Sequence, residues 1–172
     1  MRLALELAEP DLALELPPRS GPRPHSSPSL PHVQLDQWPP AKIAENLVSR
    51  CLTLPNVRSR ESRMASAECR ALSLPDEFAL GPPNAFIDGH EFCHLHPLPE
   101  GSIHLMMPKG TREPAVQLGW AERHPLSRAG FLPDTLVMLY APRDSMELGI
   151  VLRLVWSSYQ FARGVLRGEP RG

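Results

Sequence analysis

The chain has 172 residues, enough for one domain with a core that is stable alone. Its 18 basic and 19 acidic residues leave a formal net charge of −1, which argues against nucleic acid or an anionic membrane surface as partner. Three cysteines (Cys51, Cys69 and Cys93) without C-x-x-C spacing argue against a disulfide framework or a cysteine-rich zinc site.

Residues 1–40 hold nine of the 21 prolines. Proline donates no backbone hydrogen bond and interrupts helix and ladder alike, so this stretch is expected to be a disordered or extended arm. Glutamates break the opening run M-R-L-A-L-E-L-A-E-P where a signal peptide needs an apolar core, and no apolar run reaches the about 18 residues of a spanning helix. The expected setting is therefore the cytoplasm, without membrane contact. Order is expected from Ala41, where Ile43, Leu47, Cys51 and Leu54 recur at helical spacing up to the Pro55-Asn56 stop. Residues 57–64 and 68–74 read as two strands, the first a solvated edge because of Arg58, Arg60 and Arg63.

Five of the seven histidines fall between His90 and His124. His94 and His96 are two apart, so on a strand both imidazoles leave the same face. Residues 97–101 supply turn chemistry, and a second alternating run, 102–107, carries His104. A loop centred on Glu100 sets His96 opposite His104. The reverse face reads Cys93, Leu95, Ile103, Leu105 and Met107, which is a core face. On a regular strand Glu91 also falls on that reverse face. Beyond the hairpin, Glu113-Pro114 predicts a short helix ending near Gly119, followed by an irregular segment over 120–126. Residues 136–140 form an apolar buried strand. The longest helix is predicted over 145–163, with Asp144 as N-cap, Glu147 three residues on, and Gly164 as the stop. Together these elements predict an α+β domain over residues 41–166: an antiparallel sheet of four to five strands, helices on one face, and a tail at 167–172.

The blocks H-L-H-P-L-P-E-G-S-I-H-L, G-W-A-E-R-H-P-L and L-Y-A-P-R, in that order, resemble the fungal luciferase family and its wider set of luciferase-like domain proteins. The resemblance runs over about residues 90–161. It implies an enzyme that oxidises a planar phenolic or enolic small molecule, with oxygen as co-substrate. It also implies catalytic roles for His94, His96, His104, Arg123 and His124, and substrate contacts for Trp120, Tyr140 and Arg143. The fungal enzymes begin with an apolar anchoring segment where this chain has its proline-rich arm, so native light emission is not expected.

The residues themselves leave alternatives open. His94, His96 and His104 are candidate metal ligands, because three imidazoles on adjacent strands can converge on one ion. They can equally act as a base and polar wall for an organic substrate, or be ordinary hydrogen-bonded histidines. Arg123 and Arg143 can clamp an enolate through their forked donors, or pair locally with Glu122 and with Asp144 or Glu147. Trp120 stacks on a planar ring or belongs to the core, and Tyr140 lines a pocket or satisfies one buried hydrogen bond. Cys93, on the core face, reads as an inert thiol. A binding module without catalysis is the third class.

Overall fold

A computed structural model describes residues 15–65 and 68–166; what the sequence predicts for 1–14 and for the 167–172 tail lies outside the described residues. Six strands form one sheet: β1 (Arg58–Glu61), β2 (Arg70–Ser73), β3 (Glu91–Leu95), β4 (Ile103–Met106), β5 (Ala121–Arg123) and β6 (Leu136–Leu139). Their order is β1-β2-β3-β4-β6-β5, and every neighbouring pair is antiparallel. β1 is exposed at all four positions, as a charged edge strand should be. The sheet has one strand more than the four to five expected. The addition is β5, where the sequence predicts an irregular segment, because three residues are too short to show alternation.

One face of the sheet is apolar and carries the helices. Cys93, Leu95, Ile103, Leu105, Val137 and Leu139 join Leu47 and Cys51 of α1 (Ala41–Leu52) and Leu148, Val151, Leu154 and Val155 of α4 (Ser145–Ala162) in one buried cluster. Helix α4 begins as its sequence requires, with Asp144 Oδ1 accepting from Glu147 N at 2.8 Å. It ends at Gly164, whose φ of +73° suits glycine; an added Cβ there would lie 2.5 Å from the Leu80 carbonyl oxygen. Helix α2 (Lys109–Gln117) starts four residues before the Glu113 of the sequence reading, and Pro114 sits inside it. Pro108 explains the earlier start: its extended backbone ends the strand, and its carbonyl accepts from Thr111 N and Arg112 N. A short helix, α3 (Pro125–Arg128), follows β5.

The hairpin keeps the expected faces but not the expected register. His94, not His96, lies opposite His104, with Leu95 opposite Ile103 and Cys93 opposite Leu105. Gly101 (φ +65°) belongs to the turn, and His96 N donates to Ser102 O across it, which moves the loop centre back one residue to Pro99. β3 also contains a bulge. Leu72 pairs with Cys93 but Ser73 pairs with Glu91, so Phe92 is the extra residue. Glu91 is thereby turned onto the histidine face, against the regular-strand expectation.

The opposite face of the sheet is covered by residues 15–40. As the prolines require, the segment is almost without regular secondary structure, but it is not a free arm. Arg19, His32 and Gln34 are buried. Arg19 N donates to Leu118 O at 2.8 Å, Trp120 Nε1 donates to Pro17 O at 2.7 Å, and Ala141 N donates to Gln34 Oε1 at 2.9 Å. Polar anchors of this kind carry no periodicity, which is why composition alone reads the segment as disordered.

Candidate functional site

The histidine face gathers five imidazoles. β3 and its end supply His94 and His96, β4 supplies His104, the residue after β5 supplies His124, and the N-terminal segment supplies His32. His104 is the hub. Its Nδ1 lies 3.0 Å from His94 Nε2 and 3.2 Å from His96 Nε2, and its Nε2 lies 3.1 Å from His32 Nδ1. The His124 ring meets it edge-on, with centroids 4.9 Å apart. All five rings are buried. Nitrogens this close leave no room between them for anything larger than a single ion.

Each outer imidazole except His124 is backed by a carboxylate. His94 Nδ1 is 2.9 Å from Glu91 Oε1, which also accepts from Ser62 Oγ. His96 Nδ1 is 2.7 Å from Glu100 Oε2, and Glu100 Oε1 accepts from Gln34 N at 2.8 Å. His32 Nε2 is 2.6 Å from Glu122 Oε1, and Tyr140 donates its hydroxyl to Glu122 Oε2 at 2.8 Å. His124 differs: its Nδ1 accepts from Leu126 N and caps α3.

The electrostatics follow from this crowding. Burial, then the neighbouring imidazoles, push His104 well below the ordinary histidine range. The same two causes bring His124 down to about 4, so both are neutral at pH 7. Burial works against ionisation of Glu122, but hydrogen bonds from His32, Ser26 and Tyr140 outweigh it and hold the carboxyl at about 2. Glu100 is also lowered, hydrogen bonds led by His96 overcoming its burial. Burial and the Glu122 carboxylate raise the Tyr140 hydroxyl.

Of the residues singled out in the sequence, His94, His96, His104 and His124 come together, and Tyr140 joins them through Glu122. Arg123 does not. Glu122 and His124 on either side of it face the cluster, so its side chain leaves the reverse face of β5, in a groove with Arg112, Glu113, Val116 and Gln117. Its carboxylate neighbour is Asp134 at 4.0 Å rather than Glu122. Arg143 is held by Glu147, with Nε to Oε1 at 2.9 Å, and by Ser20 O at 2.7 Å. Trp120 belongs to the apolar core, under the Arg19 guanidinium. Cys93 is fully buried beside the core, and burial raises its thiol well above the usual range.

Four residues of the cluster are missed by sequence reasoning. Glu100, four residues after His96, and Glu122, two before His124 on the same strand face, carry a signal in their spacing. Glu91 is hidden by the bulge, and His32 by its proline-rich surroundings.

Residues 89–158 match the family model described as "Luciferase domain". The stretch that carries four of the five imidazoles is thus similar to a luciferase domain. Luciferases of Armillaria ostoyae, Armillaria gallica and Armillaria mellea are each 27% identical to this chain over 175 residues, covering 92% of it. The chain spans 64% of the length of each of these relatives. No solved structure matches it. Among the described residues, no helix is long and apolar enough to cross a membrane.

Proposed function

We propose that this protein is a luciferase-like small-molecule oxygenase of the cytoplasm, acting on a planar phenolic or enolic compound with molecular oxygen. The observation that carries the reading is the five-imidazole cluster, which lies on one sheet face and draws four of its members from the stretch matched by the luciferase family. The substrate docks over the outer side of the cluster, by Glu122, whose side chain is 24% exposed. A neutral imidazole of the cluster takes the enol proton. The enolate carbon then gives its electron pair to one atom of oxygen. The other oxygen atom becomes a peroxide anion and takes the proton back, so substrate and oxygen combine into a hydroperoxide with no further reductant. Trp120, Arg123 and Arg143 are given structural roles in this reading.

The test is oxygen uptake by the purified chain with a hydroxylated styrylpyrone, run beside one of the Armillaria luciferases as a positive control. Turnover is expected from the wild type, falling by a factor of about 10² to 10⁴ in at least one of the single alanine variants of His94, His96, His104 and His124. No uptake while the control consumes oxygen overturns the reading.

A further inference from the structure

We propose that His94, His96 and His104 hold one divalent first-row transition-metal ion through three imidazole nitrogens, with at least one coordination position left open.

The argument is a count of protons. A carboxylate only accepts, so His94 Nδ1 and His96 Nδ1, facing Glu91 and Glu100, both carry hydrogen. Their Nε2 atoms therefore present lone pairs, and both are aimed at His104 Nδ1. On the other side of the hub, His32 Nε2 donates to Glu122, so His32 Nδ1 also presents a lone pair, to His104 Nε2. Neutral His104 owns a single proton and meets lone pairs at both ends. Placed on Nε2, that proton leaves three bare nitrogens facing one another. Placed on Nδ1, it leaves His104 Nε2 against His32 with nothing between. A second proton would create an imidazolium away from water among four other imidazoles.

A cation among His94 Nε2, His96 Nε2 and His104 Nδ1 removes the conflict in one step. The His104 proton then sits on Nε2 and donates to His32 Nδ1, His32 donates to Glu122, and Tyr140 completes the carboxylate. Every ligand gains a polar partner behind it, the arrangement that fixes tautomer and ring orientation at metal sites. The spacing also fits. Nitrogens about 2.1 Å from one ion at the tetrahedral angle lie about 3.4 Å apart, against 3.0 and 3.2 Å here. Glu91 is fully buried, with Oε2 lacking a hydrogen-bond partner among the described residues, and an ion beyond His94 supplies charge to balance it.

A second trio, His32, His104 and His124, also brings its nitrogens within 4.8 Å of one another. It is the poorer site. His124 Nδ1 accepts the Leu126 amide, which leaves the proton of the neutral ring on Nε2. Three imidazoles suit zinc, copper, iron or nickel.

The experiment loads the full chain with cobalt(II), removes excess by gel filtration, and measures metal content and visible absorption. About one equivalent per chain is expected, with bands of nitrogen-ligated cobalt. His94→Ala and His96→Ala should retain less than about a tenth of an equivalent, with circular dichroism checking that they fold. Should they not fold, Glu91→Gln and Glu100→Gln decide, each expected to bind about 10- to 100-fold more weakly. His124→Ala should keep the metal. The proposal is overturned if the wild type retains less than about a tenth of an equivalent, if a folded His94→Ala or His96→Ala keeps the metal, if both glutamine variants bind as tightly as wild type, or if His124→Ala loses it. Because no turnover enters the measurement, this site can fail while the oxygenase reading stands, and the reverse.

Discussion

The two faces of the sheet are built on different physics. The apolar face, Cys93, Leu95, Ile103, Leu105, Val137 and Leu139 against α4, is held by area removed from water, which any side chain of similar volume supplies. On the histidine face His94, His96, His104, Glu91 and Glu122 meet under residues 15–40, and each contact depends on where a proton sits. The first face tolerates approximation and the second does not. Small changes of chemistry should therefore be felt more on the second, and changes of volume more on the first.

The largest test strips the polar face of its cover. Removing residues 1–40 takes away Arg19, His32 and Gln34, and should lower the melting temperature by at least about 10 °C; a shift within a few degrees would make the cover dispensable. Next, Glu147→Gln should destabilise by about 3–5 kcal/mol in denaturant titration, since it leaves Arg19 buried without its carboxylate at 3.2 Å. Burial opposes ionisation of Glu147, but hydrogen bonds from Arg143 and the charge of Arg19 hold it below the ordinary carboxylate value. A depressed carboxyl contributes above its unfolded pKa and loses that contribution as pH falls through the folded one. The gap between variant and wild type should thus be wide at pH 7 and close below about pH 4. An unchanged gap in acid would show that charge is not the cause.

Leu105→Ala should cost about 2–5 kcal/mol whether or not a chelator is present, because Leu105 is fully buried on the apolar face. His96→Ala should forgo the stabilisation that bound metal gives, about 2.7 kcal/mol at a hundredfold excess over Kd, and a chelator should erase that part of its deficit. Chelator sensitivity in Leu105→Ala, or none in the wild type, would break the distinction between the faces. The smallest effect belongs to Arg123→Ala, within about 0.5 kcal/mol, since the side chain stands off the cluster beside Asp134. Thermal melts and cobalt content would both register a larger role.

The same contrast sets what the sequence could reveal. Alternation through β3 and β4 announces the apolar face, and Asp144 with its buried stripe announces α4, because periodicity is how burial is written into a chain. Glu91 is invisible to that pattern, since the extra residue at Phe92 reverses the side it emerges from. His32 is invisible for another reason: it lies in a segment held by scattered hydrogen bonds, Arg19 donating and Pro17 and Gln34 accepting, none spaced to suggest an element. Arg123 shows the opposite error, where a motif position implied proximity that strand alternation denies.

The reach of the N-terminal segment also sets a timetable. Arg19 bonds Glu147 across 128 residues, Gln34 bonds Ala141 across 107, and His32 bonds His104 across 72. A ribosome adding roughly 5–20 residues per second makes Arg19 wait roughly 6–26 s before Glu147 is even synthesised. Contacts that close loops of this length form after the sheet they cover, so docking is a late event on the folding path. Substitutions at His32 or Gln34 should accordingly speed unfolding and leave the refolding limb of a chevron almost unmoved. A segment made before the sheet is the latch that closes over it last.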